Sequence, residues 1–221
     1  MAFFCAWMPI SGLDADVNPF WKRETVMKEI IWFGRGGQGA VVAAQILAES
    51  AYLEGFKGVT SAPTFGPERR GAPVTASTRI SEDPIRMFSQ VEMADIAIVL
   101  DDTLLGVVDV KGRVRKGGTI IINTSCKPED AAIKGDFDVA TVDATGISLK
   151  FRLTKEGAPV INTPLLGAFA KATGIVSLEN IEKALRSKLP AAVASQNFET
   201  VRAAYEGTMT KKALGERAGE G

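Results

Sequence analysis

Glu29-Ile30-Ile31-Trp32-Phe33-Gly34-Arg35-Gly36-Gly37-Gln38-Gly39-Ala40 is the stretch on which the reading of the fold turns. Residues 30–33 are four apolar side chains in a row, the pattern of a strand buried on both faces. A G-x-G-x-x-G loop follows at once, and 37–54 then runs through Ala, Gln, Leu and Glu without proline until Gly55 offers a stop. Strand, glycine loop and helix in immediate succession make a phosphate cradle. Glycine tolerates positive φ and lets backbone N–H groups approach an anion, while the helix N-terminus adds partial positive charge. The cradle is formed by Gly34, Arg35, Gly36, Gly37, Gln38 and Gly39, with Gln38 offering two donors and an acceptor and Arg35 able to reach outward. The plainer alternative is a glycine turn needed only for tight strand–helix packing.

Outward from this unit the chain keeps alternating. Residues 57–62 read as a second strand, and 74–80 alternates with period two as a strand with one buried face. Short apolar strands follow at 96–100, 119–122 and 139–142. Thr163 with Pro164 is placed to open a helix ending at Gly174. Ser177 caps another with Leu178, Ile181, Leu185 and Leu189 on one face, and a third spans 195–205. This order predicts a three-layer α/β domain over 27–207 with a mainly parallel sheet, followed by a polar, frayed tail at 208–221.

A glycine loop of this kind also suits a dinucleotide. That reading requires a carboxylate at the end of the second strand, about twenty residues on. Here the strand ends Ser61-Ala62-Pro63, and Glu54 lies before it. A free-standing NAD-dependent dehydrogenase is therefore disfavoured.

A second unusual stretch, Thr64-Phe65-Gly66-Pro67-Glu68-Arg69-Arg70-Gly71-Ala72-Pro73, joins two strands through a constrained turn. Arg69 and Arg70 there suit an anionic ligand, because a guanidinium makes paired hydrogen bonds to phosphate oxygens. Solvated arginines, or arginines paired with Glu68 or another chain, are the alternative. Asp101-Asp102 follows the strand at 96–100 and most simply caps the next helix. Gly167 and Ala168 allow close helix packing.

Composition narrows the function further. The 221 residues are 46% hydrophobic and 24% charged with zero formal net charge, which favours neither nucleic acid nor an acidic membrane. No stretch approaches the roughly eighteen apolar residues of a membrane span. Cys5 and Cys126 are far apart, too few for an iron–sulfur cluster that needs about four thiolates, and they suit a reducing cytosol. There is no histidine, which removes the commonest general base and zinc ligand. The reading is a cytoplasmic binding module with no catalytic or metal-ligating residue of its own. Residues 1–26 carry aromatics without a period; they are either an arm packing on a partner or the product of a start upstream of Met27.

The segments at 34–55, 61–81, 94–105 and 162–174 together resemble the gamma subunit of pyruvate and related 2-oxoacid:ferredoxin oxidoreductases. The resemblance implies a chain that works with alpha, beta and delta subunits and, through the complex, with ferredoxin. It implies thiamine diphosphate and iron–sulfur clusters on those partners, and oxidative decarboxylation of pyruvate or a related 2-oxoacid to an acyl-CoA. For this chain it implies a contribution to coenzyme A binding through Gly34–Gly39 and the Pro67–Gly71 turn. A purely structural scaffold with an empty glycine loop is the competing reading.

Overall fold

Residues 27–63, 69–87 and 89–213 are described by the structure, a computed structural model. Strand β1 (Lys28–Arg35) carries the apolar run, and Ile30, Ile31, Trp32 and Phe33 are all at most 1% exposed, so both faces of the strand are covered. Its indole nitrogen at Trp32 donates to Thr78 Oγ1 at 3.2 Å, whose hydroxyl in turn donates to the Ala44 carbonyl of the following helix. That helix, α1 (Ala40–Glu54), begins three residues later than the composition suggests, because Gly37 and Gly39 have φ of +95° and +80° and cannot be helical. Gly55 closes it in the left-handed conformation, as read from the sequence.

Strands β2 (Gly58–Pro63), β3 (Pro73–Ser81), β4 (Ala94–Val99), β5 (Val114–Asn123), β6 (Asp138–Val142) and β9 (Met209–Lys211) join β1 in one seven-stranded sheet of order β2-β3-β1-β4-β5-β6-β9. β1, β4, β5 and β6 pair in parallel, while β3 on one side and β9 on the other are antiparallel. The parallel centre matches the expectation. The hairpin-like return of β2 and β3 inserts β3 between β2 and β1, so β2 never touches β1. β3 loses its alternation at Arg79, which is buried because Glu29 pairs with it.

One face of the sheet is covered by α1, α3 (Pro164–Thr173), α4 (Leu178–Lys188) and α5 (Ala191–Gly207), over Ile30, Trp32, Ile98 and Ile121. The other face packs Ile31, Phe33, Val99, Ile120 and Ile122 under short 3-10 turns and loops rather than long helices, with Leu104 and Val110 as plugs. The third layer is thin. A short helix α2 (Ala144–Lys150) and a two-stranded hairpin, β7 (Thr154–Lys155) with β8 (Ala158–Pro159), lie between β6 and α3.

Other local readings also change in the structure. Thr163 does not cap α3; its hydroxyl donates to Asn197 Oδ1 at 2.8 Å, tying α3 to α5. β5 starts earlier than residue 119, because Ala94 pairs with Val114 and Ile96 with Thr119, leaving 115–118 as a bulge. The polar tail begins as β9 rather than fraying, with Lys212 and the Ala213 N–H both on the Asp138 carboxylate. Residues 1–26 and 214–221 lie outside the described residues. Among the described residues no helix is long and apolar enough to cross a membrane.

Candidate functional site

The parallel strands β1, β4, β5 and β6 all point their carboxyl ends to one edge, where open α/β sheets bind ligands. The glycine loop sits there, and β3 enters beside it, since Arg35 pairs with Pro73. The arginine turn therefore lies against the glycine loop. Gly36 N–H donates to the Ala72 carbonyl at 2.9 Å, Gly71 N–H donates to the Gly36 carbonyl at 3.1 Å, and Gly36 and Arg70 form a parallel bridge.

Gly36 owes its identity to this contact. A Cβ there would meet the Arg69 carbonyl oxygen at 2.3 Å. The glycine is needed so that the second loop can approach, and positive φ is required instead at Gly37 and Gly39. Gly39 is crowded too, because Asn162 donates from its Nδ2 to the Gly39 carbonyl at 3.2 Å.

Arg35 does not reach outward. Its Nε donates to Asp101 Oδ2 at 3.0 Å, its Nη1 to the Gly71 carbonyl at 3.2 Å, and its Nη2 to Thr103 Oγ1 at 2.7 Å. Gln38 is half-buried and held, since its Oε1 accepts the Arg35 N–H at 2.7 Å and its Nε2 donates to Asp101 Oδ2 at 3.1 Å. Asp101 caps the 3-10 turn Asp102–Gly106 as read from the sequence, accepting the Thr103 N–H at 3.1 Å. Partial burial pushes the Asp101 carboxyl up, but hydrogen bonds from Thr103, Gln38 and Arg35 outweigh it and hold it below the usual carboxylate range.

Two kinds of surface remain at this edge. Arg69 and Arg70 are exposed on the rim; Arg70 lies only 3.8 Å from Glu156, a pair too solvated to bind it firmly, and its Cγ lies beside Gly37. Arg69 has no ion pair among the described residues, and Glu68 lies outside them. Beneath the rim is a cleft of about 450 Å³, lined by Gln38, Asp101, Asp102, Asn123, Thr145 and Asp143 among others. Asn123 is held in place, donating to the Leu100 carbonyl at 2.9 Å, and the Asp143 carboxylate caps α2 through the Gly146 N–H at 2.7 Å. The rim is cationic and the cleft acidic.

The sequence reading thus placed Gly34–Gly39 and Arg69–Arg70 at one edge, and the structure brings them together. It missed Asp101 as the joint partner of Arg35 and Gln38, and Asn162 as the prop under Gly39. Neither was readable, because both act across long sequence separations, 66 residues for Arg35–Asp101 and 123 for Asn162–Gly39. The dinucleotide reading gains nothing: β2 ends Ala62-Pro63 without a carboxylate and is separated from β1 by β3.

The carboxyl edge of this open α/β sheet thus carries a glycine loop and an arginine turn hydrogen-bonded into one surface. Residues 29–207 match the family model for pyruvate ferredoxin/flavodoxin oxidoreductase, and the chain belongs to that family. It is 47% identical over 186 residues to the pyruvate/ketoisovalerate oxidoreductases common subunit gamma of Thermococcus litoralis, across 83% of this chain and 98% of the relative. The pyruvate synthase subunit PorC of Methanothermobacter thermautotrophicus is 44% identical, across 81% and 95%. The crystal structure of pyruvate oxidoreductase subunit PORC from Thermotoga maritima superposes with a TM-score of 0.70 at 36% identity, across 84% of this chain and 99% of that one. The chain is a subunit of a 2-oxoacid oxidoreductase and so works with partner subunits.

Proposed function

We propose that this subunit holds coenzyme A for its complex, with the phosphates on the rim formed by the glycine loop and the arginine turn. The observation that carries the reading is the Gly36–Arg70 bridge, which sets two exposed, permanently charged guanidinium groups beside the glycine loop and the start of α1. Gly37, Gly39 and Ala40 N–H groups donate to no partner among the described residues, and they lie where a helix N-terminus favours an anion. Arg69 and Arg70 supply paired donors to phosphate oxygens. Arg35 and Gln38 act chiefly by shaping the loop, and Gln38 also faces the cleft. The acidic cleft repels phosphate and receives the neutral, donor-bearing parts of the molecule.

Thiamine diphosphate and the iron–sulfur clusters belong to the alpha, beta and delta subunits of a cytoplasmic complex that passes electrons to ferredoxin. This chain brings no such group of its own. Its work is to bind and orient the thiol-bearing cosubstrate that accepts the acyl group. Titrating coenzyme A into the assembled complex tests the reading. The Arg69→Ala/Arg70→Ala pair is expected to weaken binding at least tenfold, the loss of one or more charge-assisted hydrogen bonds. Wild-type affinity in the fully assembled double variant sinks it.

A further inference from the structure

We propose that Asp101 is the positioning residue that locks the glycine loop and the arginine turn into one frame; its consequence for coenzyme A rests on the reading above. Asp101 Oδ2 receives both Arg35 Nε and Gln38 Nε2, at 3.0 and 3.1 Å, so a single oxygen holds both polar side chains of the glycine loop. Gln38 passes the restraint to the loop backbone through the Arg35 N–H. Arg35 passes it to the arginine turn through the Gly71 carbonyl. Asp101 Oδ1 meanwhile is pinned by the backbone and hydroxyl of Thr103, which also receives Arg35 Nη2. The carboxylate therefore joins the loops that leave β1 and β4 and, through Arg35, the turn that leads into β3, and its own conformation is fixed by the 3-10 turn it caps.

Charge makes Asp101 hard to replace. Arg35 Nε and Gln38 Nε2 are both donors aimed at one oxygen, so an asparagine amide facing them would set donor against donor. Arg35, once paired, contributes no free positive charge to the rim. The anion affinity of this edge then depends on Arg69, Arg70 and backbone N–H groups, all of which keep their places only while the frame holds.

The test uses amide hydrogen exchange and kinetics on the assembled complex carrying Asp101→Asn, with Arg35→Lys as a second variant that keeps the Asp101 cap but loses the fork to Gly71 and Thr103. The reporting amides are Arg35, Gly36 and Gly71, each an internal donor in the frame. Both variants are expected to speed exchange about tenfold or more in the 34–39 and 69–75 segments together. The apparent KM for coenzyme A should rise about tenfold with kcat changed less than about twofold, and Asp101→Glu should recover part of the loss. Loosened segments with an unchanged KM support the frame and count against coenzyme A at this edge. Wild-type protection of both segments in the two variants overturns the proposal, whatever KM does.

Discussion

Gly36 and Arg70 lie side by side in a parallel bridge, and the carbonyl of the neighbouring Arg69 stands where a Gly36 side chain would have to be. The two loops are therefore one surface, and glycine is the condition for it. Gly36→Ala places a methyl group 2.3 Å from that oxygen, and either the turn moves away or the strand end distorts. Overpacking of this kind costs about 1–3 kcal/mol, so the melting temperature should fall by several degrees, roughly 2–4 °C per kcal/mol at this size. Coenzyme A affinity should fall with it. Gly37→Ala makes a contrasting control: its Cβ meets nothing nearer than Arg70 Cγ at 3.9 Å, and its cost is the positive φ alone, about 1–2 kcal/mol. A Gly36→Ala variant that melts like wild type means the loops do not depend on this contact.

The single arginine variants separate ligand contact from structure. Arg70 is 80% exposed and its 3.8 Å pair with Glu156 adds almost nothing to stability, so Arg70→Ala should leave unfolding within about 0.5 kcal/mol of wild type. At least one of Arg69→Ala and Arg70→Ala should still raise the apparent KM for coenzyme A about tenfold. Raising ionic strength should mimic part of that defect in wild type, because the rim is solvent-exposed. Arg35→Ala should behave oppositely in emphasis, with stability lost first, since its guanidinium is internal. A rim variant with normal coenzyme A dependence in a fully assembled complex assigns the turn to another role.

The central fold could be read from short-range patterns. The apolar run at Ile30–Phe33 is continuous because β1 is covered on both faces, and Gly55 stops α1 because it adopts φ of +105°. The glycine loop and arginine turn were recognisable as separate motifs, since each is a local run of special residues. Their hydrogen-bonded union was not, because it depends on β3 lying antiparallel beside β1, a choice no local pattern encodes. Arg35 shows the same limit: an arginine in a glycine loop looks free until Asp101, distant in sequence, arrives at the end of β4. The thin third layer was hidden for another reason. The plugs Leu104, inside one 3-10 turn, and Val110, at the start of another, belong to turns too short to carry a helical period.

At the opposite edge of the sheet, Glu29 accepts from Arg79 Nε at 2.9 Å and from Arg115 Nη2 at 2.7 Å. Burial pushes the Glu29 carboxyl up, but the two arginines outweigh it and hold it below its ordinary value of 4.5. The sign follows from this depression. The contribution to stability is complete above the unfolded value and is lost as pH falls through the folded one. Glu29→Ala leaves Arg79 buried without a counter-charge and should cost about 3 kcal/mol, a melting drop of roughly 6–12 °C. The difference in stability between wild type and this variant should shrink as pH is lowered below about 4.5. A difference that stays constant between pH 7 and about pH 3 shows that the carboxylate charge is not what Arg79 requires.

Gly167 sets the spacing of the helical layer. Gly167 lies in α3 directly against α5, and a Cβ there would sit 2.0 Å from the Val201 carbonyl oxygen and 3.0 Å from the Tyr205 nitrogen. The atoms in the way are backbone, so no side-chain rotation relieves the clash; the helices must move apart. Their separation is otherwise fixed by Thr163, whose hydroxyl bonds Asn197 at 2.8 Å, and by Leu165, Phe169, Val201 and Ala204, all fully buried in the core. Gly167→Ala should therefore destabilise by about 2–3 kcal/mol even though alanine is the better helix former by about 1 kcal/mol. The melting temperature of the subunit should fall by roughly 4–12 °C. Gly167 faces α5 and neither the glycine loop nor the arginine turn, so coenzyme A affinity of the assembled complex should change less than about twofold, against about tenfold for the rim variants. A Gly167→Ala subunit as stable as wild type would show that α3 and α5 do not pack this closely.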